Sequence, residues 1–198
     1  MTLFLVLLAL ISVTRLIEMN ISRRHRRELL ERGAASAADP GFLGMVLLHM
    51  AILAGSLVEA VVFSRSAPVW LSLLASLAVL NASALRIWAI RSLGQHWNVR
   101  VINSTSLGVV QQGPYKYIRH PNYVAVFAEL AFLLLVQGAW LTAVIGTGLH
   151  FLVLYRRIRH EEKVLMESAD YQKAMAHKPR FIPDFLRTTT NAYPTGHS

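Results

Sequence analysis

Apolar residues in this chain gather into runs long enough to cross a bilayer. Residues 1–19 are apolar apart from Thr and Ser and, late in the run, Arg15 and Glu18. A helix rises about 1.5 Å per residue, so this run spans a tilted bilayer path. It has no basic stretch before it and no A-x-A-like site after it, so it reads as a retained helix and not as a cleaved signal peptide. Two further runs cover 42–63 and 69–90, divided by the tight turn Ser64-Arg65-Ser66-Ala67-Pro68. From 122 to 158 the chain is almost continuously apolar, and Gln137-Gly138 near the middle splits that stretch into two helices. The pattern predicts an all-α, polytopic membrane protein with about five transmembrane helices, the last two forming a helical hairpin.

The polar intervals test that count. Seventeen of the 20 Lys and Arg residues lie in 20–41, 91–120 and 156–198. Five alternating spans put these three segments on one face, and basic flanks mark the cytoplasmic side. Four or six spans would divide them. The N-terminus is therefore expected outside and the C-terminus in the cytoplasm. Gly94, Gly108, Gly113, Pro114 and Pro121 punctuate the stretch between spans three and four, which predicts a structured loop. The expected organisation is N-terminal helices over 1–91, a loop, hairpin and C-terminal segment over 92–187, and a disordered Thr/Pro/Gly tail over 188–198.

Composition narrows the class. Of 198 residues 54% are apolar and only 16% charged, too few to cover a water-facing surface. The net charge of +9 would otherwise suggest nucleic acid, but it is spread over three membrane flanks, so nucleic-acid binding is excluded and membrane lipids are the expected surroundings. There is no cysteine, hence no disulfide, thiolate metal site or cysteine nucleophile. The sequence sets no oligomeric state.

Ionisable groups within spans are costly, so they should face the bundle interior or an interface. Glu59, Arg86, Glu129 and His150 are such groups, with Asn81 a polar companion and His49 a weaker case. Glu59, near the outer end of its span, reads as a wet carboxylate; Glu129 lies two turns into span four and suits either a structural carboxyl or a cavity. The densest signal is Gly113-Pro114-Tyr115-Lys116-Tyr117-Ile118-Arg119-His120-Pro121-Asn122-Tyr123. Pro121 suits the first helical turn and places His120 at the N-cap, where free amides and Arg119 favour a carboxylate. Span five runs out into Arg156-Arg157-Ile158-Arg159-His160-Glu161-Glu162-Lys163. Snorkelling cations and a salt-bridged helix end account for these charges one at a time. A hairpin nevertheless brings the His120 corner against Arg157, Glu161 and Glu162, a pocket with both signs of charge and aromatic walls.

GPYKYIRHPNY, the apolar hairpin, RIRHEEKVL, and a Tyr171 region ending in Pro179-Arg180-Phe181-Ile182-Pro183 together resemble the isoprenylcysteine carboxyl methyltransferase family, over about half the chain. The resemblance implies S-adenosyl-L-methionine (SAM) as donor, bound in the cytoplasmic loop and C-terminal segment. Its implied cofactor residues are Gly113, Tyr115, Arg119, His120, Tyr123, Glu161 and Glu162, with Gln95, His96 and Trp97 as a looser match. The candidate catalytic residues are Arg157, Glu161 and Glu129: the resemblance supplies Arg157 and Glu161, while the chemistry of the step suggests Arg157 for a developing oxyanion and Glu129 or His96 as a base when the acceptor is a hydroxyl. No metal is implied. RLIEMNISRRH and GQHWNVRV look like bacterial inner-membrane members that methylate alkylpyrones or alkylresorcinols, which makes the acceptor a lipophilic small molecule in preference to a prenylated cysteine. Two rivals share parts of this pattern: an NADPH-dependent sterol-type reductase and a non-catalytic lipid-binding membrane protein.

Overall fold

The computed structural model describes residues 1–39 and 41–184, so the expected tail lies outside the described residues. Among the described residues six α-helices follow in order: α1 Thr2–Glu31, α2 Phe42–Val62, α3 Val69–Leu93, α4 Pro121–Gln137, α5 Trp140–Leu165 and α6 Ala169–Met175. The expected all-α membrane architecture is present. Helices α1, α2 and α3 are each long and apolar enough to cross a membrane; α4, with 17 residues, is shorter, and α5 becomes charged from Arg156 onward.

The apolar pattern marked where α1 enters its polar flank, but the helix does not stop there. It continues through the Arg-rich stretch to Glu31, about 45 Å in all. Arg, Glu and Leu propagate a helix in water as readily as apolar residues do in lipid, so a change of solvent need not end one. Two very short strands, β1 Ala35–Ser36 and β2 Ile102–Asn103, pair antiparallel with Ala35 opposite Asn103. They tie the α1–α2 connector to the α3–α4 loop. Two-residue strands carry no readable alternation, so no pattern of residues announces them. The α3–α4 loop itself is built of single 3₁₀ turns at Gly94–His96, Thr105–Leu107 and Gly113–Lys116, as its punctuation predicted.

Helix α4 is the hub. Its Leu133 and Val136 pack with Phe4, Leu7, Ala75 and Val79 of α1 and α3, while Leu130 and Leu134 pack with Ile52 and Ala143 of α2 and α5. The other long helices turn large apolar side chains outward, among them Leu10, Leu47, Leu73 and Val144. Such a continuous exposed apolar belt suits lipid and not water.

Glu59 is not wet: it is 4% exposed and accepts hydrogen bonds from the amides of Leu141 (3.0 Å) and Thr142 (2.8 Å) and from Thr142 Oγ1 (2.7 Å). The reading of a solvated carboxylate is thereby corrected. A carboxylate from α2 caps the start of α5, where free amides and the helix dipole favour negative charge. Gly138 closes the α4–α5 hairpin at φ +78°, and a Cβ there would lie 2.7 Å from the backbone nitrogen of Ala67. Both features lock the hairpin against the α2–α3 turn.

Candidate active site

A cavity of about 580 Å³ opens between α1, α2 and α4 and runs to the α3–α4 loop and the charged end of α5. That volume lies within the range of small-molecule sites. One end is polar and aromatic, with Trp97, Tyr115, Arg119, His120, Tyr123, Arg157, Glu161 and Tyr171; the other is apolar, with Leu8, Ile11, Leu53 and Leu133.

The polar end rests on the start of α4. His120 is its N-cap residue and Pro121 its first helical residue, as expected. Two backbone amides just before the first turn are taken, however. Arg119 N–H donates to the Pro179 carbonyl (3.0 Å) and His120 N–H to that of Arg180 (3.1 Å). A C-terminal strap therefore occupies the helix start, and Lys178 Nζ fixes it further on the Tyr115 carbonyl (2.8 Å).

The paired glutamates, indistinguishable in sequence, have separate positions. Glu162 is buried outside the cavity and receives His120 Nε2 (3.0 Å), Arg119 Nη1 (3.0 Å) and a two-nitrogen fork from Arg180, Nη2 being 2.7 Å away. A carboxylate only accepts, so Nε2 of His120 carries a proton. Burial opposes the Glu162 charge, but the hydrogen bonds from His120 and Arg180 and the positive charge of Arg119 outweigh it and hold the carboxyl down at about 2. Glu161 lines the cavity and accepts a short hydrogen bond from the Tyr123 hydroxyl. Burial and the nearby Glu161 charge push the phenols of Tyr115 and Tyr171 well above their ordinary range, so both remain neutral.

Arg157 is buried with all its nitrogens engaged: Nε on Tyr123 Oη (3.2 Å), Nη1 on both Asp39 oxygens (2.9 Å each) and Nη2 on the Val99 carbonyl. Its pairing with Asp39 fastens the α1–α2 connector over the site. His96 lines the cavity with Nδ1 3.0 Å from Ser104 Oγ. Trp97 is 2% exposed and its indole N–H has no acceptor, and Arg119 Nε is likewise buried without a partner. Gln95 lies outside, exposed, accepting from Arg32 (2.9 Å). Gly113 does not line the cavity either. It turns the chain at φ +60°, with Ser92 Oγ only 2.0 Å from where a Cβ would sit.

Deeper in the bundle, Glu129 belongs to a four-charge network. Arg86 forks onto Glu18 (3.0 and 2.6 Å) and reaches Asn122 Oδ1 (3.1 Å), Arg15 bridges Glu18 (2.8 Å) to Glu129, and Ser83 donates to Glu129 (2.7 Å). Sequence reasoning marked Arg86 and Glu129 separately but not the pairing. The available signal was charge balance, two cations and two anions within spans one, three and four. Asp39 and Arg180 were also missed as site residues. An acid in a connector and a cation in a tail motif announce no partner.

Fold and site together define a helical integral membrane protein with an amphipathic cavity at the basic end of its bundle. Residues 73–167, from α3 through the charged end of α5, match the model of the Isoprenylcysteine carboxyl methyltransferase (ICMT) family, which bears out the resemblance carried by the motifs. The chain is also 27% identical over 164 residues to "Uncharacterized protein YpbQ" of Bacillus subtilis (strain 168), covering 83% of this chain and 97% of that protein. A similar likeness, 27% over 162 residues, 79% of this chain and 91% of the relative, links it to an "Uncharacterized protein" of Haemophilus influenzae.

Proposed function

We propose that this protein is a SAM-dependent O-methyltransferase acting on a lipophilic acceptor at the cytoplasmic face of the membrane, with five helices crossing it. One observation carries the reading: the aromatic end of the cavity is lined by an anion, Glu161, and a cation, Arg119, with Tyr115, Tyr123 and Tyr171 in the same lining. Charged groups of both signs in one cavity suit a ligand that itself carries both signs. SAM fits the set. Arg119 would hold its carboxylate, Glu161 its ammonium group, and the faces of Tyr115, Tyr123 and Tyr171 its sulfonium through cation–π attraction. Bound there, SAM supplies an electrophilic methyl group.

The protein's own contribution is placement. His120, Arg119 and Arg180 fix Glu162 and with it the end of α5, so that Glu161 is presented to the cavity. Arg157 and Asp39 hold the connector across the site and limit water. The apolar end, open between α1 and α2, accepts an acyl or alkyl tail from the bilayer. Aligning an acceptor oxygen with the methyl carbon and excluding water supplies most of the acceleration that such a displacement requires. Long-tailed ring hydroxyls of the alkylpyrone and alkylresorcinol kind fit this shape.

The test is incubation of methyl-labelled SAM with membranes containing the protein and a lipid extract of its host. Label is expected in an extractable lipophilic product. Label confined to protein contradicts the small-molecule acceptor, and binding of NADPH without SAM contradicts the methyltransferase reading.

A further inference from the structure

His49 stands on α2, two turns from Phe42, and lines the same cavity next to Met45 and Met50. Its Nδ1 lies 2.7 Å from the Met45 carbonyl, its own i−4 partner. A carbonyl can only accept, so Nδ1 carries the hydrogen, and in the uncharged ring Nε2 is left with an open lone pair. Among the described residues nothing bonds to it. The ring is held by its edge-on contact with His150, centroids 4.6 Å apart, and His150 is itself sealed at 0% exposure and stacked on Phe127. Both His150 nitrogens are without partners, so His150 does not compete for the His49 lone pair.

The groups facing His49 are Arg15 from α1, with Glu129 of α4 behind it, and His150 from α5. Arg15 is already balanced, because Arg15, Arg86, Glu18 and Glu129 sum to zero charge. A carboxylate head entering this depth would bring an uncompensated charge and meet a lone pair. A neutral hydroxyl brings the one thing His49 lacks, a donor.

Resting on the methyltransferase reading above, we infer that His49 is the catalytic base of this site and that the acceptor is an uncharged, long-tailed hydroxyl compound. The acceptor O–H bond breaks, its proton going to His49 Nε2. The oxygen electron pair forms the O–CH₃ bond while the C–S bond of the donor breaks, its pair returning to sulfur. The products are a methyl ether, a neutral thioether and an imidazolium that releases its proton to water.

The probes are 4-dodecylphenol, its methyl ether 4-dodecylanisole, and dodecanoic acid, with the full chain in nanodiscs. Without SAM, the phenol is expected to bind about fivefold tighter than the ether, the size of one hydrogen bond, and His49→Phe should abolish that preference. With SAM, wild type should methylate the phenol and not the acid. His49→Gln should lower phenol methylation about a hundredfold at neutral pH, with an unchanged SAM Kd and a deficit that shrinks as pH approaches the phenol's own ionisation near about 10. Equal binding of phenol and ether, methylation of the acid in preference to the phenol, turnover of neither probe, or His49→Gln behaving as wild type each overturns the inference. So does loss of SAM binding in His49→Gln, which would make His49 structural. Failure of wild type to bind SAM overturns the methyltransferase reading itself.

Discussion

At the scale of single residues, the chain uses carboxylates in three ways. Glu59 caps a neighbouring helix, Glu162 gathers two arginines and His120, and Glu161 is left to face the cavity. Glu59→Leu strands two amides and a hydroxyl at the start of α5 and should cost about 3 kcal/mol or more, at about 1–3 kcal/mol per unsatisfied donor. It should appear as a lower Tm in detergent with SAM binding retained at low temperature. Glu162 contributes stability with a definite sign. Its carboxyl is held below the ordinary 4.5, at about 2, so the contribution is complete above pH 4.5 and is lost as pH falls toward 2. Melting temperature should fall through that window in wild type and much less in Glu162→Gln. Which of the adjacent glutamates faced the site was not legible in sequence. One residue along a helix is a rotation of 100°, and only the partner surfaces fix which way it points.

At the scale of elements, the hairpin and the strap position the site. The hairpin was legible because Gln137-Gly138 interrupts an apolar run, and the N-cap at His120 because Pro121 fixes the first turn. The β1–β2 pairing and the strap were not legible, since both join segments distant in sequence through backbone groups that every residue shares. Gly138→Val places a β-branched side chain at φ +78° against the Ala67 backbone. It should destabilise by about 2 kcal/mol or more, read as a lower Tm. The strap depends on Arg180 gripping Glu162, so Glu162→Gln should also speed trypsin cleavage after Arg180 severalfold at neutral pH, as followed by mass spectrometry of the released fragment.

At the scale of the whole molecule, three of the basic residues that mark one end of the bundle, Arg100, Arg119 and Arg157, also line the cavity. Because the chain has no cysteine, single introduced cysteines report topology without background. Ser66→Cys, exposed in the α2–α3 turn, should react with an impermeant maleimide in intact cells, and Ser106→Cys, exposed in the α3–α4 loop, only after permeabilisation. The reverse labelling would place the cavity on the wrong side for a cytoplasmic cofactor. The central claim is that Glu161 and its aromatic surround hold SAM. Calorimetric titration of the purified protein in nanodiscs tests it most directly. Wild type should bind SAM at one site per chain, and Glu161→Gln should weaken binding about tenfold to a hundredfold, the loss of one charge-assisted contact. Equal affinity of the two proteins for SAM, or no SAM binding by wild type, would contradict it.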